Sequence, residues 1–182
     1  MTLMKSTRQL TTMAIMAALS IILVYFVRFP LFPAAPYLEY DPADIPILIC
    51  TFIYGPLSGL ILTVVASTIQ GLTVSAGSGV LGVVMHIFAT GSFVLVVGNI
   101  YKHKKDRKSS VLALCAGTVT MVAMMCILNV VLTPIFWGTP RDIVIQMLIP
   151  IIIPFNFIKA GINSIVTFVT YKKIAQFSSI TK

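Results

Sequence analysis

The sequence predicts an all-α integral membrane protein in which residues 1–182 form a single domain of six transmembrane helices, the second and third of them short. Hydrophobic residues make up 58% of the chain and charged residues only 10%, whereas roughly 25% of a soluble domain is charged. The net charge of +8 comes mostly from basic residues at the ends of apolar segments. That pattern sets membrane topology and argues against nucleic-acid binding.

The first half of the chain contains three predicted helices. The apolar run at 10–29 is long enough for a retained span, whereas a signal peptide has a shorter one. Three prolines exclude a helix from the following loop, residues 31–44. The apolar stretch at 45–75 is too long for one span and too short for two standard spans of about 20 residues each. Gly55-Pro56 divides it, so two short helices are predicted there.

The second half contains three further predicted spans, at residues 80–101, 111–135 and 146–171, with loops at 102–110 and 136–143. Five of the seven residues at 102–108 are Lys or Arg, which places this loop in the cytoplasm. Basic residues also place both termini there: Lys5, Arg8, Lys172, Lys173 and Lys182. The predicted location is therefore the cell membrane, with the loops at 30–44 and 136–143 outside.

A polar face in the last span is the strongest indication of a site. Asn156, Lys159 and Asn163 share one helical face because they are spaced i, i+3 and i+7. A charge at the centre of a span costs about 2.5–3.5 kcal/mol, so such a residue usually faces a polar partner or a cavity. Asn129 in the fifth span is predicted to lie at a similar depth. Amide and ammonium groups suit the imide edge of a heterocycle.

The alternative is a purely structural set of bonds between helices. For Asn163, the deepest of these residues, the structural interpretation is favoured, whereas for Asn156 with Lys159 ligand contact is favoured. His86 is predicted to be a packing residue, because a lone histidine in a span is more often a satisfied core residue than a ligand.

Two polar segments are candidate ligand contacts. The proline-stiffened loop offers Tyr37, Leu38 and Tyr40 as a lid over a pocket, with an ordinary exposed loop as the alternative. Asp44 is predicted to cap the second helix. The turn at 75–79 contains glycines that permit close approach of backbone to a ligand, with a plain turn as the alternative.

Ala14 and Ala18 in the first span have a spacing that permits close helix approach, for internal packing or for a partner subunit. This alanine pair is one of three motifs. The other two are the run from Leu38 to Gly59 and the segment Pro-Phe-Asn-Phe-Ile-Lys-Ala-Gly-Ile-Asn-Ser at 154–164. With these motifs the chain resembles the substrate-binding (S) component of energy-coupling factor (ECF) vitamin transporters, and most closely the riboflavin-specific type.

The resemblance implies high-affinity capture of a vitamin from outside and association with a transmembrane coupling subunit and two ATPases. It implies that Ala14 and Ala18 contact the coupling subunit. The flavin contacts that it implies are the backbone near Leu38, the turn with Ala76, Gly77 and Gly79, and the side chains of Asn129, Asn156 and Lys159. Tyr40 would add an aromatic wall, and Asn163 extends the polar face.

No cofactor, metal or enzymatic activity is predicted, and riboflavin is the expected transported ligand, with FMN as the alternative. The acidic residues all lie in loops, so an intramembrane enzyme lacks its carboxylates at depth. No ATP-binding motif is present, so an ATP-driven motor would be another subunit. The alternatives that remain are an S component for a different vitamin or precursor, and a solitary secondary carrier, for which inverted repeats are expected but not seen.

Overall fold

The computed structural model describes residues 7–33, 35 and 37–180, with side chains up to Lys173. Lys5 and Lys182, which were used to predict the location of the termini, lie outside the described residues. Seven α-helices are described: α1 (Thr7–Phe26), α2 (Asp44–Tyr54), α3 (Pro56–Leu72), α4 (Gly79–Tyr101), α5 (Arg107–Trp137), α6 (Arg141–Met147) and α7 (Ile153–Ile180). A two-residue antiparallel pair joins β1 (Phe29–Pro30) to β2 (Glu39–Tyr40).

The described helices confirm the six-helix membrane fold. A π-helical turn at Leu148–Ile152 links α6 to α7, so the two form one continuous helical run. This run, α1, α4 and α5 are each long and apolar enough to cross a membrane, whereas α2 and α3 are shorter apolar helices.

Several predicted boundaries were wrong by a few residues. The first helix ends at Phe26 because the chain turns into β1, and the last begins at Arg141 instead of residue 146. The fifth helix begins at Arg107, since the Oδ1 of Asp106 accepts a hydrogen bond of 2.7 Å from the Ser109 amide and caps the helix. That bond lowers the pKa of the Asp106 carboxyl.

Gly55 separates α2 from α3, as the sequence predicts. Its φ of +92° lies in the region that favours glycine, and its amide still donates to the Thr51 carbonyl at 2.8 Å. Pro56 then occupies the first turn of α3, where a missing amide hydrogen costs nothing.

Helix α4 lies between α3 and α5, and α7 packs against α5 and α2. The side chains of Phe93, Val94 and Val97 on α4 are fully buried at the centre of this packing. On the outside, large apolar side chains such as Ile15, Val119 and Ile165 are exposed, as expected for helices that face lipid. The core is therefore a helix bundle with an apolar exterior.

Close approach of α4 to the start of α3 depends on Gly98. A Cβ at Gly98 would lie 2.7 Å from the Cα and 2.8 Å from the backbone nitrogen of Pro56, and backbone cannot move aside as a flexible side chain can. We expect Gly98→Ala to lower the free energy of unfolding by about 1–3 kcal/mol, measured as a fall in the thermal unfolding midpoint in detergent. Gly161→Ala is the matched control, because a Cβ there meets nothing within 4 Å. Equal midpoints for the two variants would contradict the prediction.

The loop between α1 and α2 is seated on the bundle. Ala35 and Leu38 are buried against Phe155 at the start of α7. The Ser20 hydroxyl on α1 donates to the Ala43 carbonyl at 3.0 Å. The loop therefore packs over one end of the bundle, held by apolar contacts of Ala35 and Leu38 and by the hydrogen bond at Ala43.

The prediction that Asp44 caps α2 was wrong. Asp44 is the first residue of the helix, Ala43 precedes it, and no side chain caps this end. The Asp44 carboxylate is fully buried and accepts hydrogen bonds from Thr90 and Asn163 on other helices. These distant donors replace the local amides that a capping carboxylate would have used.

Candidate ligand-binding site

A cavity lies beneath the α1–α2 loop, at the end of the bundle that also carries the turn between α3 and α4. It is lined by residues of that loop, of the turn, and of α3, α4, α5 and α7. It contains about 1010 Å³ of space that no protein atom fills, its open mouth included. Such a cleft between helices is where ligand sites of helix bundles are found.

Lys159 and Asp41 form a buried ion pair in the cavity wall. The Lys159 Nζ lies 2.7 Å from Oδ2 of Asp41, and both residues are only 7% exposed. Oδ1 of Asp41 accepts a hydrogen bond from the Ala43 amide at 3.1 Å, which fixes the carboxylate. The lysine therefore faces a cavity and has a partner that neutralises it at membrane depth.

Asn163 lies behind this pair and joins three elements. Its Nδ2 donates to the Asp41 carbonyl at 3.2 Å and to Oδ2 of Asp44 at 3.0 Å. Its Oδ1 accepts from the Tyr40 hydroxyl at 3.0 Å. Asn163 is fully buried and does not line the cavity, so its bonds hold the α1–α2 loop and α2 against α7.

Asn129 and Asn156 present amides to the cavity from α5 and α7. Each donates one hydrogen bond of 2.8 Å to a carbonyl four residues earlier in its own helix, that of Met125 or Ile152. A side-chain amide has a second donor and an oxygen with two lone pairs. Both side chains thus keep capacity for a ligand while their orientation is set by the helix.

The structure brings four of the predicted substrate-binding residues to one cavity: Leu38, Asn129, Asn156 and Lys159. Tyr40 lies behind the wall with Asn163. Ala76, Gly77 and Gly79 are exposed in the turn, and it is their neighbours Ser75 and Ser78 that line the cavity. Ala14 and Ala18 lie away from the cavity, exposed on α1.

Arg28 is a lining residue that sequence reasoning missed. Its guanidinium pairs with Glu39 in the loop and donates to the Val74 carbonyl in the α3–α4 turn. The only sequence signal was its position at the end of the first span. Arg28 therefore joins Lys159 as a second cation in the cavity lining, and each of the two is paired with a carboxylate. The cavity therefore suits a ligand that is polar at an edge but carries no net charge.

Gln70 on α3 and His86 on α4 were also missed as lining residues. His86 was predicted to be a satisfied packing residue; its Nδ1 does bond to the Ser67 hydroxyl at 2.6 Å. Gln70 did not stand out because it is one of several scattered polar residues in α3, and His86 was considered only as a packing residue.

The remaining walls are apolar and adaptable. Met85, Met121 and Met125 line the cavity with Phe155, and flexible thioethers make favourable contacts with aromatic rings. At the mouth, Tyr37 of the loop meets Trp137 edge to face, with 5.5 Å between ring centroids. A flat ring system with one polar edge fits this combination of walls.

Comparison with known proteins gives the family. The model of the family described as "ECF transporter, substrate-specific component" matches residues 8–171. The chain is 36% identical to riboflavin transporter RibU of Staphylococcus aureus (strain TCH60), over 78% of this chain and 77% of the relative. It is 30% identical to riboflavin transporter FmnP of Bacillus subtilis (strain 168), over 76% and 77%.

A solved structure, described as the S component of a bacterial ECF transporter, has the same fold. It superposes with a TM-score of 0.82 at 33% sequence identity, covering 95% of this chain and 98% of that one. With the apolar helices described above, the protein is a multi-pass membrane protein and a transport component. The chain belongs to the family of substrate-specific components of ECF transporters.

Proposed function

We propose that this protein is the riboflavin-capturing S component of an ECF importer. The observation that carries the proposal is the cavity in which Asn129, Asn156 and Lys159 meet between methionine-rich walls. The isoalloxazine ring of riboflavin is flat, with an apolar body and one imide-like edge that both donates and accepts hydrogen bonds. Two amides and an ammonium group complement that edge, and the two named riboflavin transporters are its relatives.

The proposed cycle begins with entry of the vitamin from outside, beneath the α1–α2 loop. The loop is connected to α7 through Asp41 and Lys159, so a ligand that contacts Lys159 also acts on the loop. The basic loop at 102–108 and the basic residues near both ends of the chain support cytoplasmic termini. With both termini in the cytoplasm, the α1–α2 loop and the cavity beneath it lie on the outer side of the membrane.

A coupling subunit and two ATPases are proposed as partners. The chain carries no ATP-binding motif, so energy must come from another subunit. Ala14 and Ala18 are exposed on one side of α1, where small side chains permit close approach of a partner helix. We propose this face as the contact with the coupling subunit.

The test is a flavin-binding measurement on detergent-purified protein. We expect the purified protein to carry flavin absorbance, and the flavin-free protein to quench riboflavin fluorescence on binding. Asn129→Leu and Asn156→Leu should each weaken binding by about 10-fold or more, because a ligand group is left without its partner at a cost of about 1–3 kcal/mol.

Asn99→Leu is the matched control, since Asn99 is exposed near the other end of α4. Competition by FMN tests the alternative ligand, and competition by thiamine tests a different vitamin. A protein that binds thiamine but no flavin would contradict the proposal.

A further inference from the structure

A second cavity lies on the outside of the bundle, as a groove between α5 and α7. The α5–α7 groove contains about 790 Å³ of space that no protein atom fills, its open side included. Of the described residues, none lines both this groove and the cavity beneath the α1–α2 loop. Its lining residues Val119, Phe157 and Ile165 are exposed, so the groove opens towards the surrounding lipid.

The inner surface of the groove is apolar. Its two hydroxyl groups, on Thr118 and Ser164, lie 3.1 Å apart and bond to each other, and both residues are buried. A Cβ at Gly161 would meet nothing within 4 Å, so this glycine leaves the groove open between its walls. A polar ligand would lose its hydrogen bonds to water here without replacement, whereas a hydrocarbon chain loses none.

The length of the groove matches half of a bilayer. On α7 its lining residues extend from Phe157 to Phe168, a stretch of about 16 Å at a rise of 1.5 Å per residue. Half of the hydrocarbon layer of a typical membrane is about 15 Å thick. On α5 the lining begins at Val111, one turn after the helix starts. The groove therefore extends from one end of these helices to the middle of the membrane, which is the depth of one acyl chain.

Two cations lie at the end of the groove, one on each wall. The Lys172 Nζ lies 3.9 Å from the centroid of the Phe168 ring, so the ammonium group is held over a residue that lines the groove. Arg107 lies one turn before Val111 on α5 and is close enough to Lys172 for their charges to repel. Within the part of the chain that the structure describes, neither cation forms a salt bridge.

The neighbouring carboxylate does not neutralise this pair. Oδ1 of Asp106 accepts the Ser109 amide at 2.7 Å, and its charge acts on Lys104 and Lys108. Two like charges are therefore held together at the mouth of an apolar groove. An anion between them would relieve their repulsion.

We propose that the α5–α7 groove binds one anionic glycerophospholipid. One acyl chain lies in the groove, and the phosphodiester lies between Arg107 and Lys172. Basic residues next to a membrane surface attract anionic lipid headgroups, and a guanidinium pairs with two phosphate oxygens at once. Since the adjoining basic loop at 102–108 is proposed to be cytoplasmic, the lipid comes from the inner leaflet.

The test is native mass spectrometry of delipidated protein in detergent, with added phosphatidylglycerol or phosphatidylcholine that carry the same oleoyl chains. One phosphatidylglycerol should bind at least 10-fold more tightly than phosphatidylcholine, because each basic residue near the headgroup favours an anionic lipid by about 5-fold. The double variant Arg107→Gln/Lys172→Gln should lose this preference and bind phosphatidylcholine as before. Lys102→Gln/Lys104→Gln is the matched control: it removes the same charge from the same side of the protein, outside the groove, and should keep the preference.

The apolar part of the site is tested separately. Gly161→Leu places a side chain in the groove and should weaken the binding of both lipids about 10-fold. Thr68→Leu is the matched control, because Thr68 is exposed on α3 and away from the groove. The unfolding midpoint without added lipid should equal that of the wild type in every variant, which shows that each is folded.

Three results would overturn the site. Wild-type protein that binds the two lipids equally, or a double variant that keeps the preference, would show that Arg107 and Lys172 do not bind the headgroup. Unchanged lipid binding by Gly161→Leu would show that the acyl chain lies elsewhere. Glycerol phosphate, which has no acyl chain, should not compete, and competition as strong as that of the lipid would indicate an anion site alone. None of these measurements involves flavin, so the proposed function is tested independently.

Discussion

Replacing Lys159 with methionine is expected to weaken riboflavin binding by about 10- to 150-fold, because a hydrogen bond to a charged group contributes about 1.5–3 kcal/mol. The same substitution leaves the Asp41 carboxylate buried without its counter-ion. Breaking a buried ion pair from one side costs about 3–5 kcal/mol of stability. Both effects are measurable in one preparation, as fluorescence quenching of riboflavin and as the unfolding midpoint without ligand.

The double variant with Asp41→Asn separates the two effects. Without either charge, most of the lost stability should return, since replacing both partners of a buried pair is often nearly neutral. Binding should remain weak, because the ammonium group is still missing. Lys173→Met is the control for loss of an exposed lysine. Recovery of binding in the double variant would show that Lys159 serves only to neutralise Asp41.

Asp44→Leu is expected to destabilise the protein by about 3 kcal/mol or more. The carboxylate accepts from Thr90 at 2.7 Å and from Asn163 at 3.0 Å, and it is fully buried. A leucine of similar size leaves both donors unpaired in the core, which is among the costliest kinds of substitution. The thermal unfolding midpoint in detergent, without ligand, measures the loss.

Asp44→Asn should cost less, because an amide oxygen still accepts one of the two bonds. Asp142→Leu is the matched control, since Asp142 is exposed at the start of α6 and its replacement should change stability by no more than about 0.5 kcal/mol. A midpoint for Asp44→Leu that equals this control would show that the buried network contributes nothing to the fold.

The fold was predictable because the membrane imposes strong local rules. Backbone groups in lipid must bond within a helix, so apolar runs translate directly into spans. The break at Gly55-Pro56 followed from proline and glycine chemistry at a single position. The boundaries of α5 and α6 were harder to predict from the sequence. A cap at Asp106 and a π-turn at 148–152 depend on a few local hydrogen bonds that hydropathy does not report.

The site was predictable only in part. Helical spacing placed Asn156 and Lys159 on one face, but no local pattern pairs Lys159 with Asp41, which lies 118 residues away in the chain. For the same reason, the expected cap at Asp44 was replaced by bonds to Thr90 and Asn163. Gln70 and His86 could be placed at the cavity wall only from the packing of α3 against α4.

The shortness of α3 has a consequence for the surrounding lipid. At a rise of 1.5 Å per residue, its 17 residues extend over about 26 Å, whereas the hydrocarbon layer of a typical bilayer is about 30 Å thick. Leu57, Val64 and Leu72 are exposed along this helix, so the acyl chains beside it must compress, because tilting a short helix would reduce its span further. The cost is a fraction of a kcal/mol per ångström. The bilayer should thus be locally thinner beside α3, and the cost of seating the protein should rise with membrane thickness.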